Sequence, residues 1–194
     1  MSHFDDLVRS FGMSGFLVTD DIARIEKKHA IALGHMNSAN SSPVAEKLKL
    51  FEQRTQNEAA EMAVYYQLFY CLEKSIRDLI SENLREKASE NWWESERVPP
   101  AIKEEVNKRK QTEIDSGVTI RSDKPLDYTT FGELEGIITK NWDVFGVIFE
   151  SQRAVQKIMK NLNVLRGPIA HCCPFSEDEK ERLKITVNDW FRQL

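Results

Sequence analysis

Arg166 and His171, which lie five positions apart near the end of the chain, carry the chemistry that the sequence suggests. A guanidinium can stabilise the negative charge of a phosphate, and an imidazole can accept or donate a proton at neutral pH. RNA can be cut without a metal when its 2′-hydroxyl attacks the adjacent phosphorus, provided that a base takes that proton and an acid protonates the departing 5′-oxygen. We therefore expect metal-independent RNA cleavage, with His171 as general acid or base and Arg166 on the phosphate.

The same reaction favours two copies of the chain. It needs both an acid and a base, and one chain offers a single histidine of this kind, so two facing copies would supply the pair. We expect a homodimer with the site at its interface. The spacing alone is weak support, because an arginine followed by a histidine five positions later is common by chance, and a structural role for His171 stays open.

Positive charge is concentrated around the motif and not spread over the chain. The net charge is −4, with 27 basic and 31 acidic side chains, so the global positive field of a general nucleic-acid-binding protein is absent. Between residues 151 and 171 there is no Asp or Glu, whereas Arg153, Lys157, Lys160 and Arg166 are present. We expect Lys157 and Lys160 to bind the RNA substrate.

Glu73 and Arg77 lie one helical turn apart in a segment that is otherwise apolar. They could form a local ion pair on a solvated edge, which is the common role of such a pair. Alternatively, Glu73 could face the site and orient a cation there. The sequence leaves both interpretations open.

Capping signals and 3.6-residue spacing predict an all-α protein. Three predicted helices have both ends marked: Thr19 to about residue 33, Pro43 to about residue 87 with a possible break at 54–57, and 151 to 167. Three further helices begin at Pro100, Thr130 and Ser176. Residues 37–42 are polar and predict a loop. This loop divides the chain into an N-terminal helical arm, residues 1–41, and a helical bundle, residues 42–194.

Two features of these helices bear on the site. Residues 62–80 are apolar nearly all round, which predicts a helix at the centre of the bundle. Gly167 and Pro168 predict that the helix from 151 ends or kinks there, so that His171 lies in the first turn of a new segment. Arg166 and His171 would be about 140° apart on an unbroken helix, and a break makes their convergence easier.

Other chemistries have little support. Cys71, Cys172 and Cys173 suggest neither a disulfide framework nor a zinc site, since no second ligand pair at finger spacing exists. Cys172 as a nucleophile activated by His171 would need a geometry that sequence neighbours seldom have. We expect no metal and no cofactor. The residues at the start lack the pattern of a secretory signal, and no apolar run is long enough to cross a bilayer, so a cytoplasmic protein is expected.

Residues 166–171 resemble the signature of the HEPN superfamily, whose members are small helical bundles and in many cases metal-independent endoribonucleases. The resemblance covers about residues 60–194. Over this range the chain is similar to the HEPN subfamily that is attached to a yeast mRNA quality-control endonuclease and is found in many bacterial proteins. It extends to residues 70–77 (YCLEKSIR), to 92–99 with its Trp-Trp pair and Val-Pro step, and to 130–145, which begins with TFGEL.

The resemblance implies an HEPN-like helical bundle and a homodimer whose paired arginine and histidine motifs line a cleft. It also implies, in bacteria, a frequent role as a toxin or antiviral defence effector, and hence an antitoxin or another regulatory protein as a partner. By position, Arg166 and His171 correspond to the catalytic pair and Glu73 to a supporting acidic residue.

One position departs from the family pattern. The residue after the arginine is typically asparagine in active members, whereas here it is Gly167, which removes a side chain that could contact substrate. Some members of the superfamily are inactive. The second hypothesis is therefore a catalytically silent helical module that serves dimerisation or partner binding.

Overall fold

The computed structural model describes residues 43–194 and, before them, residues 18, 19, 21, 22, 24–26, 28 and 29. The chain divides into two compact units, 1–56 and 57–194. The described residues between 18 and 29 are helical, as predicted, although Thr19 lies inside the helix and not at its cap. The predicted loop at 37–42 lies outside the described residues, and the division of the chain after residue 41 stays a prediction.

Residues 43–194 form seven α-helices and one 3-10 helix, with no β-strand in this range, which confirms the all-α prediction. The helices are α1 (Pro43–Leu48), α2 (Gln53–Lys87), α3 (Pro100–Asp115), α4 (Phe131–Lys140), α5 (Trp142–Phe145), α6 (Gln152–Ala170) and α7 (Glu177–Gln193), and the 3-10 helix spans Pro125–Tyr128. The break between α1 and α2 falls at residues 49–52, slightly before the predicted position.

Side-chain caps fix where the later helices begin. Thr130 and Glu133 form a capping box at the start of α4, as their spacing predicts. Ser151 accepts a hydrogen bond from the Ala154 backbone at the start of α6, and Ser176 accepts one from Glu179 at the start of α7. Helix α6 packs against both α4 and α7. The hydrophobic core joins α2, α4, α5 and α6, and its residues with no exposed surface are Ile76, Ile80, Leu84, Phe131, Leu134, Ile137, Ile138, Phe145 and Leu162.

Helix α2 buries one face and leaves another in water. Its buried residues recur at intervals of three and four: Phe69, Leu72, Ile76, Ile80 and Leu84. Away from that stripe, 58% of Tyr66 and 61% of Tyr70 are exposed. The prediction that residues 62–80 are buried on every side is therefore wrong. The pattern counted tyrosine as apolar, although its hydroxyl allows the ring to lie at a surface.

Helix α6 continues through Gly167 and Pro168 to Ala170, so the predicted break is wrong. Pro168 lacks the N–H that would bond the carbonyl of residue 164, and α6 continues for only two residues beyond it. The helix end is then closed by backbone bonds from His171 to Gly167 (3.0 Å) and from Cys173 to Pro168 (2.8 Å), with Cys172 at a φ of 54°. His171 therefore ends α6 and does not begin another helix.

Arg109 and Glu133 join α3 to the start of α4 by a bidentate ion pair. Arg109 Nη1 and Nη2 donate to the two carboxylate oxygens of Glu133 at 2.7 and 2.9 Å. Burial raises the pKa of Glu133, but hydrogen bonds from Arg109 and from the Thr130 backbone outweigh that effect and hold the pKa below its ordinary value.

Replacing Glu133 with glutamine is expected to lower the free energy of unfolding by about 1–3 kcal/mol at neutral pH, because a charge-assisted bond to Arg109 is lost. A carboxylate whose pKa is lowered by folding stabilises the fold above its unfolded pKa, and this stabilisation is lost as the pH falls through the folded pKa, which lies below the ordinary value. Urea unfolding at pH 7 and pH 3 should show the difference between wild type and variant shrinking at pH 3. An equal loss in Glu135→Gln on the same helix would contradict this account.

Candidate active site

A cleft of about 620 Å³ lies between α2, the C-terminal turn of α6 and the segment that leads into the 3-10 helix. Its charged lining comes from all three: Glu73, Lys74, Arg77, Arg121, Asp127 and Arg166. Four of these side chains are cationic and two are carboxylates. Lys74 and Arg121 are each paired with a carboxylate outside this lining, Asp78 and Glu113, whereas Arg77 and Arg166 share the single carboxylate of Glu73.

Glu73 holds two arginines at the floor of this cleft. Its Oε1 lies 2.7 Å from Arg77 Nη2, one turn along α2, and its Oε2 accepts a hydrogen bond of 3.1 Å from Arg166 Nε on α6. Glu73 is only 16% exposed. It makes the local pair with Arg77, although not on the solvated edge that the first interpretation expected, and it also contacts a second cation, as the other interpretation expected.

Arg77 is fixed by more than Glu73. Its Nε donates to the Leu126 carbonyl at 3.2 Å, and its Nη2 donates to the Thr129 carbonyl at 2.8 Å. These bonds tie α2 to the 3-10 helix and to the residue after it. Arg77 is 13% exposed, so it is a structural cation that keeps Glu73 in position.

Arg166 is held in a different way. Glu73 accepts from its Nε, and within the part of the chain that the structure describes the two Nη nitrogens make no hydrogen bond. The side chain is 40% exposed at the cleft. A guanidinium held through Nε keeps the forked pair of N–H groups that binds phosphate oxygens.

His171 lies elsewhere on the same helix. It is exposed and is not part of the cleft lining that Arg166 joins. Because α6 is unbroken, the five steps from residue 166 to residue 171 turn the two side chains about 140° apart. One protomer therefore does not bring Arg166 and His171 to one cleft.

Lys157 and Lys160 are exposed on the side of α6 that also carries His171. At about 100° per residue, the eleven steps from Lys160 to His171 amount to three turns and about 20°. Around the helix axis, Lys160 therefore lies about 20° to one side of His171, and Lys157 lies about 40° to the other side. These three residues thus form one basic face, separate from the cleft of Arg166.

Gly167, next to Arg166, has open space where a side chain would be. A Cβ placed on it would meet no atom within 4 Å. The residue lies inside α6, so a Cβ at this position, as in a Gly167→Ala variant, would displace no neighbour.

No group of three or more His, Cys, Asp or Glu side chains in the described residues is arranged to hold a metal ion. The three cysteines are free and exposed. Among the described helices, none is both long and apolar enough to span a membrane.

The sequence did not identify Lys74, Arg121 or the two exposed tyrosines as part of the site. Tyr66 and Tyr70 could have been found, because they continue the face of α2 that carries Glu73 and Arg77 at intervals of three and four. Arg121 had no such signal. It comes from a loop, and only the tertiary fold brings it to this cleft.

Comparison with known proteins identifies one family. The family model described as Swt1-like HEPN matches residues 67–194, which include α2 from residue 67 onward, every cleft residue except Tyr66, and the whole of α6 and α7. No curated protein and no solved structure gives a significant match. The match confirms the resemblance that the motifs suggested, and the chain belongs to the Swt1-like HEPN family.

Proposed function

We propose that the protein is a metal-independent endoribonuclease whose catalytic groups are Arg166 and His171. The observation that carries the proposal is the contact between Glu73 and Arg166, which positions a guanidinium at an open cleft and leaves its Nη nitrogens for a phosphate. Membership of an HEPN family supports RNA as the substrate.

In the proposed reaction the 2′-oxygen of RNA forms a bond to the adjacent phosphorus, and the bond from phosphorus to the 5′-oxygen breaks. One imidazole takes the 2′-proton, and a second, protonated imidazole gives a proton to the 5′-oxygen. Arg166 stabilises the charge that grows on the non-bridging oxygens. The products are a 2′,3′-cyclic phosphate and a 5′-hydroxyl.

The proposed reaction uses two imidazoles and one protomer offers a single His171, which supports a site shared by two copies. In a symmetric homodimer that joins the C-terminal ends of the two α6 helices, the exposed His171 side chains of both copies would meet, and the partly exposed Arg166 side chains would reach the same composite site. Lys157 and Lys160, on the same face as His171, would then bind the RNA strand beside it.

Purified protein should cleave mixed RNA in the presence of a chelator and leave 2′,3′-cyclic phosphate ends. Intact RNA at high protein concentration, with the dimer present, would favour the second hypothesis of a catalytically silent module. Products with 5′-phosphate ends, or cleavage that stops in chelator, would contradict the proposed chemistry.

Replacing Lys157 or Lys160 with alanine is expected to weaken RNA binding for all sequences alike. Each lysine that contacts a phosphate contributes about one unit to the slope of log affinity against log salt, so each variant should lower that slope by about one. The measurement is a salt titration of RNA binding by fluorescence anisotropy. Lys184→Ala is the matched control on α7, where the lysine is 70% exposed, and an equal effect there would show only a general charge effect.

A further inference from the structure

The strongest unassigned feature is a pair of exposed tyrosines on the wall of the cleft. Tyr66 and Tyr70 lie one turn apart on α2, with ring centroids 6.2 Å apart and planes inclined by 39°. Both line the cleft that also contains Arg166. More than half of each residue is exposed.

The other tyrosines of the chain have structural partners. Tyr65 packs edge-on against Phe175 with centroids 5.1 Å apart, and Tyr128 is almost fully buried. Packing within the unit therefore accounts for Tyr65 and Tyr128 but leaves the outer faces of Tyr66 and Tyr70 in water. Two neighbouring aromatic rings in water offer the flat apolar surface on which a planar ligand stacks.

The surroundings of the rings indicate an anionic ligand. Lys74 and Arg166 line the same cleft, and the Nη nitrogens of Arg166 have no partner among the described residues. Glu73 carries one negative charge against the two positive charges of Arg77 and Arg166, whereas Lys74 is paired with Asp78, so the positive charge left beside the rings belongs to the two arginines. A flat aromatic surface beside the guanidinium of Arg166 matches a nucleotide unit, which combines a planar base with a phosphate.

We infer that Tyr66 and Tyr70 form a nucleobase subsite, on which an unpaired base stacks while the neighbouring phosphate binds Arg166. The inference rests on the proposed function, which supplies RNA as the ligand. A base paired in a helix has its faces covered by its neighbours, so this subsite selects single-stranded over double-stranded RNA.

The test is binding of a 2′-O-methyl oligonucleotide, which lacks the attacking hydroxyl and is not cleaved. Wild-type protein should bind the single strand at least tenfold more tightly than the same sequence in a duplex. Tyr66→Ala and Tyr70→Ala should each weaken single-strand binding by about fivefold or more, the loss expected for one stacked base. Tyr66→Phe should stay within about twofold, because the ring remains. Phe191→Ala, at an aromatic residue that is 58% exposed on α7, is the matched control and should change nothing.

A second ligand separates stacking from charge. An abasic oligonucleotide of equal length has the same phosphates without bases, and wild-type protein should bind it more weakly than the normal strand. In the Tyr66→Ala, Tyr70→Ala double variant, the two ligands should bind equally. Unchanged binding in the tyrosine variants, or equal wild-type affinity for the normal and abasic strands, would overturn the inference.

The remaining outcomes are also distinguishable. If the tyrosine variants lose the dimer in sedimentation velocity while their affinity for RNA is unchanged, the rings belong to a contact between copies and the inference fails. Tyrosine-dependent binding by a protein that cleaves no RNA would support the subsite and remove the ribonuclease proposal. If the tyrosine variants cleave RNA with an unchanged KM, the ribonuclease proposal is supported and the nucleobase subsite is removed.

Discussion

Replacing His171 with alanine is expected to lower the rate of RNA cleavage by a factor of about 10² to 10⁴, the usual contribution of a positioned general acid or base. Replacing Arg166 with alanine should cost about 10² to 10³, because charge on the phosphate is no longer stabilised in the transition state. Neither change should alter the fold, since both side chains are at the surface of α6. The measurement is the initial rate with a fluorescent RNA in chelator.

Matched variants control for general effects of losing a histidine or an arginine. His29→Ala removes an exposed histidine outside the matched family region, and Arg192→Ala removes an arginine whose side chain is 80% exposed near the end of α7. Both should cleave RNA at the wild-type rate. If His171→Ala behaves like His29→Ala, the proposed role of His171 is wrong.

The second large effect is expected from Glu73→Gln, which keeps the shape of the side chain and removes its charge. Arg166 then loses its anchor and cleavage should fall by about tenfold or more, because misplaced catalytic groups are costly. Arg77, which is 13% exposed, loses its countercharge, so the free energy of unfolding should fall by about 1–3 kcal/mol. Kinetics and urea unfolding measure the two effects.

A double-mutant cycle separates positioning from mere destabilisation. If Glu73 acts through Arg166, adding Glu73→Gln to Arg166→Ala should lower the rate little further, whereas independent effects would multiply. Glu86→Gln, at a highly exposed position of the same helix, should leave both rate and stability unchanged. Multiplying effects in the cycle would show that Glu73 does not position Arg166.

Local signals predicted the fold well. The capping box at Thr130 and the serine caps at Ser151 and Ser176 each depend on residues within one turn, so the sequence identified these helix starts directly. The apolar spacing of α6 likewise gave its buried face. The N-terminal division could not be tested, because most residues before 43 lie outside the described part of the chain.

The site was predicted less completely, for physical reasons. Pro168 predicted a break because it lacks the N–H of one helical bond, yet α6 continues two residues beyond it, to the turn at Cys172 and Cys173 that the sequence pattern did not include. The contact of Glu73 with Arg166 spans 93 positions, so only packing of α2 against α6 could reveal it. Tyr66 was counted with the core, and Tyr70 was not assigned to the site, because composition does not distinguish a buried from an exposed ring.

The central claim, that two copies supply the two imidazoles of one site, is tested most directly by diluting wild-type protein with His171→Ala after subunit exchange. At a constant total protein concentration, with nine parts of variant to one of wild type, about one dimer in a hundred keeps both histidines. The rate of cleavage should then fall to about 1% of that of wild-type protein alone. The same dilution with His29→Ala should change nothing. A fall only to about 10%, in proportion to the wild-type fraction, would mean that each copy acts alone and would contradict the claim.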